Sequence, residues 1–261
     1  MSTSTMEISY TPSMSHPEKI ARVDIAAAFR WLGKGFGDFT RAPGPSLLYG
    51  GLFAALSAAV YALVMNVPWY SIAYLTGLVV VGPFLAAGLY AASRDMESGK
   101  NASISGSFRL LRKRSTNLAL FSLLLSLVMA AWVRFSALLF AIQLNTLNPY
   151  PSTQAFTAML STPEGMTTLA FFVGVGLLLV SLVFVISAVA VPLIIDKDSN
   201  FISAMQTSAR TVAKNPLAML VWAALIAALT AIGIATAFVG LAFIFPVRGY
   251  ATWHSYRELI K

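Results

Sequence analysis

From Leu217 to Val247 the chain carries no charged side chain, and three more stretches of similar character precede it. Ser46–Met65, Trp69–Ala92 and Met166–Ile195 are also uncharged, and Leu118–Gln143 is interrupted only by Arg134. A helix crossing the hydrocarbon core of a bilayer needs about 20 predominantly apolar residues. Each of these runs meets that length, so the sequence reads as a polytopic membrane protein. Only 11% of the residues are charged, too few to coat a soluble globule, for which about a quarter is usual. The chain has no cysteine, which excludes a disulfide scaffold, thiolate zinc sites, iron–sulfur clusters and cysteine nucleophiles.

The run Leu217–Val247 is too long for one upright helix. Gly233-Ile234-Ala235-Thr236 is the expected turn, giving a fifth helix at about 216–233 and a sixth at about 236–256; one long tilted helix is the competing reading. The fold class expected is an all-α membrane protein of six transmembrane helices arranged as three hairpins. Residues 1–20, polar and interrupted by Pro12 and Pro17, read as a disordered cytoplasmic tail that includes His16, with 21–261 as one integral membrane domain.

The 18 lysines and arginines give the orientation. They fall at 19–41, 94–114, 197–214 and 248–261, with Arg134 as the outlier, and 66–68, 144–166 and 233–236 contain none. Basic loops stay on the cytoplasmic side, so both termini are expected there, in the bacterial inner membrane. The net charge of +8 is then explained by orientation and by anionic lipid headgroups, with no nucleic-acid partner.

Each cytoplasmic stretch before an odd-numbered span repeats one spacing. Ile25, Phe29, Leu32 and Phe36 stand at i, i+4, i+7 and i+11, as do Ile104, Phe108, Leu111 and Ser115, and then Phe201, Met205, Ser208 and Val212. Each set is one stripe on a helix, opposed by Arg30 and Lys34, Arg109 and Lys113, or Arg210 and Lys214. Three short amphipathic helices at the inner surface are expected. The even-numbered spans each carry a proline, Pro83, Pro192 and Pro246, expected to kink them. Stripe and proline recurring together predict a threefold internal repeat. Gly33, Gly35 and Gly37 read as a flexible juxtamembrane segment rather than a phosphate loop, since they follow no strand and lack a Lys-Ser/Thr ending.

Candidate polar sites are few. Arg134 has no carboxylate at its depth and has two readings. The favoured one ends the span near Val133, with Trp132 in the aromatic belt, Arg134 snorkelling outward and Phe135–Leu144 continuing along the interface. The other turns the guanidinium inward as an anion site. Near the cytoplasmic end of the sixth span stand Arg248, Tyr250, His254 and Arg257, the last three on one face at i, i+4 and i+7. No Ser-His-Asp arrangement, Walker loop or HExxH motif is readable. No catalytic residue, cofactor or metal ligand is assigned, and the expectation is a non-enzyme.

Arg41-Ala42-Pro43-Gly44-Pro45-Ser46-Leu47-Leu48-Tyr49-Gly50, Asn215-Pro216-Leu217-Ala218-Met219 with Trp222-Ala223, and Ala251-Thr252-Trp253-His254-Ser255-Tyr256-Arg257 together resemble a bacterial family known as domain of unknown function 2189. The similarity runs from about Trp31 to Arg257. It implies a six-span inner-membrane protein and supplies no catalytic residues. Members are sometimes labelled as cytochrome c oxidase subunits, but an oxidase core needs several histidines in its spans and this chain offers His254 alone. The expected function is a non-catalytic accessory, assembly or lipid-interacting subunit. Its expected partners are membrane lipids, anionic inner-leaflet headgroups among them, and other membrane subunits. The alternative is a transporter or channel for a small neutral or anionic solute, although no acid lies in a span to couple protons or sodium.

Because the chain lacks cysteine, the topology is directly testable. Single cysteines at positions 100, 150, 205 and 235 are expected to label from inside, outside, inside and outside; an outside signal at 205 contradicts it.

Overall fold

The computed structural model describes residues 18–64, 82, 86–147 and 160–261. The architecture is all-helical, apart from one bridge between Ile20 and Ile260. In chain order the helices are α1 (Ala27–Arg41), α2 (Pro43–Val64), α3 (Ala87–Glu97), α4 (Ile104–Lys113), α5 (Ser115–Leu147), α6 (Pro163–Ser187), α7 (Ala190–Lys197), α8 (Phe201–Lys214), α9 (Pro216–Ala235) and α10 (Leu241–Leu259).

Local chemistry sets these boundaries. The Thr162 hydroxyl accepts from Gly165 N at 3.1 Å, and Pro163 occupies the first turn of α6, where its missing donor costs nothing. Ser103 caps α4 through Gly106 N at 3.0 Å, and Asn200 caps α8 through Ile202 N at 2.9 Å. A single residue, Ala42, Arg114 or Asn215, joins each of α1, α4 and α8 to the long apolar helix that follows it.

By length and composition, four candidate membrane spans occur among the described residues: Pro43–Leu63, Ser115–Leu139, Pro163–Lys197 and Pro216–Ala235. The run at Trp69–Ala92, with its Pro83, lies largely outside the described residues. The sixth run is a helix, α10, but His254, Arg257 and Glu258 on its last turns and Arg248 in its middle remove it from the apolar class. The long tilted helix is overturned, because 216–259 is two helices. Their turn falls at 236–240, just beyond the glycine-marked stretch. Thr236 donates its hydroxyl to Gly233 O and accepts from Gly240 N, both at 2.9 Å. Ala237 and Phe238 take φ of 51° and 68°, a left-handed conformation that side chains disfavour. Gly233 stays helical, because its bare surface receives Leu241.

The core gathers around α10, which buries Leu241, Phe245, Pro246, Gly249, Tyr250, Ala251, Trp253, Ser255, Tyr256 and Leu259 against α1, α2, α3, α7 and α9. Pro246 has no N–H for the Ala242 carbonyl one turn earlier. Gly50 of α2 lies against that carbonyl: a Cβ there would stand 2.9 Å from Ala242 C and 3.0 Å from Pro246 Cδ. Gly35 of α1 makes a second close approach, where a Cβ would stand 2.6 Å from Ala251 N. Small residues at helix crossings are the usual packing device where lipid supplies no hydrophobic drive.

Several expectations are corrected by this packing. Gly33–Gly37 is continuous helix, not a flexible segment, and Gly35 is the reason that α1 can sit on α10. The packed face of α1 is Ala27, Ala28, Trp31, Gly35 and Asp38, so the helix is docked on the bundle as well as amphipathic. The stripe of α8 is half-buried or buried in the core, not at a surface. Ser208 of that stripe accepts from Val189 N at 3.3 Å and donates to Val185 O at 2.8 Å. These bonds close the break between α6 and α7. Pro192 lies inside the candidate span Pro163–Lys197 and lacks the N–H for the Ala188 carbonyl, so the span is broken at Ala188–Val189, one turn before the proline. Trp132 is buried between α5 and α6, 4.8 Å from the Phe172 ring, rather than in a surface belt. Residues 18–20, read as tail, are held to the C-terminus: Ala21 N donates to Leu259 O at 2.8 Å and Lys261 N to Lys19 O at 3.0 Å.

Gly33 faces open space and Gly35 faces backbone. Gly33→Ala should leave thermal stability unchanged or raise it by about 0.5–1 kcal/mol through helix propensity. Gly35→Ala should lower it by about 1–3 kcal/mol through overpacking. Detergent-phase melting of both variants checks the contrast.

Candidate functional site

The polar residues of α10 divide into two groups, one in its last three turns and one deeper. In the last turns Tyr250, Trp253, His254, Tyr256, Arg257 and Glu258 each meet a partner from another helix, while Thr252 and Ser255 donate to carbonyls of α10 itself. Tyr250 shares a 3.0 Å hydrogen bond with the Ser46 hydroxyl of α2, which itself donates to Ala42 O at 2.6 Å. His254 Nε2 lies 2.8 Å from Asp38 Oδ2 of α1, and the Ser93 hydroxyl of α3 donates to the same oxygen at 2.7 Å. Trp253 Nε1 and Arg257 Nε donate to the two oxygens of Glu97 at 3.1 and 2.9 Å. Asp196 of α7 accepts from Tyr256 at 2.7 Å, from Arg94 at 3.1 Å and from Arg257 at 3.4 Å. Glu258 accepts from Arg30 at 2.9 Å and from Trp31 Nε1 at 3.0 Å. At its outer edge Arg30 also pairs with Asp24, and that hydrogen bond holds the Asp24 carboxyl below its usual range and the Arg30 guanidinium above its own.

Ser93, Asp38 and His254 are brought together although no such group is readable in the sequence. Their order decides their chemistry. The carboxylate stands in the middle and takes both partners, so the histidine does not touch the hydroxyl that it would have to activate as a base. Asp38 is 6% exposed; a carboxylate so buried is held by its two donors. This is an orienting contact between α1, α3 and α10.

The deeper group centres on Arg248. Its Nη1 donates to the Thr230 hydroxyl of α9 at 2.5 Å, and its guanidinium carbon lies 5.7 Å from the Phe245 ring centre. The side chain borders a cavity of about 350 Å³ between α6, α9, α10 and the start of α3. No carboxylate among the described residues reaches it. Arg134, by contrast, lies exposed on the outside of α5, an unbroken helix through Leu147.

Of the residues singled out from the sequence, Tyr250, His254 and Arg257 thus lie at one end of α10, each in its own group of partners, Arg248 stands apart from them in the cavity, and Arg134 is in neither place. Sequence reasoning missed Asp38, Ser93, Glu97, Asp196 and Thr230. One signal was present: Glu97, Asp196 and Glu258 each close a returning apolar run with a basic residue nearby, the pattern of paired rather than solvated charge. Among the described residues no group of three His, Asp or Glu side chains could hold a metal ion.

Residues 71–196, a little under half of the chain, match a family described as "Predicted integral membrane protein (DUF2189)". The resemblance is shown on that segment; the three stretches that first suggested it lie outside the match. No curated protein and no solved structure matches the chain, and nothing in these comparisons supports a respiratory-complex role.

Asp196→Ala would strand Tyr256 and Arg94 and leave Arg257 with Glu97 alone, so a loss of about 2–3 kcal/mol is expected. Asp24→Ala, at an exposed pair, should leave the melting midpoint nearly unchanged. Equal midpoints for the two variants would contradict the network.

Proposed function

We propose that this chain, which carries the domain of a family of predicted integral membrane proteins, is a non-catalytic, lipid-interacting inner-membrane protein. In this reading it crosses the bilayer six times as three hairpins, each led by an amphipathic helix, with both termini in the cytoplasm. It acts as an accessory or assembly subunit, and its partners are anionic lipids and neighbouring membrane subunits.

The observation that carries the reading is the exposure of the apolar stripes of α1 and α4. Phe29 is 58% and Phe108 is 68% exposed, and Ile25, Phe36 and Ile104 are exposed beside them. The packed face of α1 is a different one, so its stripe is free to meet hydrocarbon. Lys34 and Arg41 of α1, and Arg109, Arg112 and Lys113 of α4, form no ion pair among the described residues, which leaves them for headgroups. The bridge between Ile20 and Ile260 holds the two described ends together, which supports an even number of crossings. The carboxylate-centred order of Ser93, Asp38 and His254 supports a structural role. The transporter alternative draws on one observation, the cavity beside Arg248.

An environment-sensitive fluorophore on Phe108→Cys should be quenched by spin labels high on lipid acyl chains and shielded from aqueous iodide. The same probe on Arg109→Cys should show the reverse. Iodide quenching of both to the same extent contradicts a membrane-seated α4.

A further inference from the structure

An arginine cannot discharge itself by losing its proton, so a guanidinium in an apolar site needs an acceptor or an anion. Arg248 has five N–H donors, and among the described residues they make one hydrogen bond, to Thr230. Every acidic residue except Glu7 lies among the described residues; Glu18, Asp24, Glu97, Asp196, Asp198 and Glu258 pair with other cations, and Asp38 is held by His254 and Ser93. None reaches Arg248.

Besides Arg248 and the hydroxyl-bearing ring of Tyr90, the cavity is walled mainly by apolar side chains, Val183, Phe184, Met219, Trp222 and Phe245 among them. Its volume of about 350 Å³ lies at the small end of ligand pockets, which run from about 300 Å³ upward. Hydroxyls are confined to a few positions, Thr252 and Ser187 among them. A hydrated inorganic anion would find one cation and mostly hydrocarbon. An amphiphile with a single oxyanion fits both parts, its head on the guanidinium fork and its chain along the apolar wall. Arg248 lies nine residues before Arg257, about 14 Å along α10, so the head would sit below the charged network, within reach of a chain entering from the membrane.

We propose that the cavity at Arg248 binds the oxyanion head of a membrane amphiphile, a phospholipid phosphate or a fatty-acid carboxylate, with an acyl chain against Met219, Trp222 and Phe245. This site is distinct from the surface contact of α1 and α4, and its failure would leave the fluorescence result for Phe108 unaffected.

The test uses the full chain, delipidated in a nonionic detergent, with binding followed by native mass spectrometry and thermal melting. Dioleoylphosphatidylglycerol, oleate and inorganic phosphate are the three probes. Either lipid probe, or both, is expected to stay bound and raise the midpoint, while inorganic phosphate at equal concentration does not. Arg248→Gln should weaken that binding at least tenfold, with Arg248→Lys intermediate, whereas Lys34→Gln and Arg109→Gln should retain it. Because Arg248→Gln could also fail to fold, Ala223→Leu, which narrows the cavity and keeps the arginine, provides a second reading and should also lose the ligand. Undiminished binding in Arg248→Gln or in Ala223→Leu overturns the site. An equal midpoint shift with inorganic phosphate alone overturns the amphiphile in favour of a free anion.

Discussion

Three carboxylates, Asp38 from α1, Glu97 from α3 and Asp196 from α7, converge on the last turns of α10 and meet His254, Trp253, Arg257 and Tyr256 there. The rest of the arrangement depends on this convergence. A helix that carries a histidine and two arginines cannot lie in hydrocarbon without partners, because each uncompensated charge costs several kcal/mol. The carboxylates supply those partners only if their own helices stand around α10. The network therefore draws α1, α3 and α7 to one end of the bundle and turns α10 from a lipid-facing span into the central helix. Paired charges of this kind add modest stability, but they do fix which helices are neighbours.

Close backbone contact completes what charge begins. Gly50 lies on the carbonyl that Pro246 leaves without its helical donor, and Gly35 lies on the next turns of the same helix. The carbonyl freed by Pro246 thus lies where a neighbour approaches closely, as expected of prolines inside bundles. Above the network the charged pairing stops, and Arg248 faces a mainly apolar cavity with, among the described residues, the Thr230 hydroxyl as its hydrogen-bond acceptor. Among the described residues, one helix carries both a polar end whose charges are paired and one cation that lacks a counter-charge.

Much of the fold was legible in the sequence, because long uncharged runs and their basic borders follow from bilayer thickness and orientation alone. The break near Gly233, the helix preceding each of α2, α5 and α9, and the polar end of α10 were all readable. The packed face of α1 was not. Counting hydrophobicity selects the phenylalanine stripe, but in a membrane protein the strongest apolar residues turn toward lipid, and Ala27, Ala28 and Gly35 form the interface. Pro192 marked the right place, although the bend there is a full helix break at Ala188–Val189 rather than a kink in a continuous helix. Asp38 carries no signal of its role, since pairing with His254 across more than two hundred residues leaves no trace in local spacing. Arg248 was noticed, but only the tertiary arrangement separates it from Tyr250, His254 and Arg257.

The account stands or falls on α10 being the centre of the bundle. Hydrogen–deuterium exchange of the full chain in lipid nanodiscs measures this directly, since exchange protection follows burial and the stability of the surrounding contacts. The amides from Phe245 to Tyr256, apart from the donorless Pro246, are predicted to be among the slowest in the described helices, and those of α4 among the fastest. Exchange in α10 as rapid as in α4 would contradict a central, charge-compensated helix.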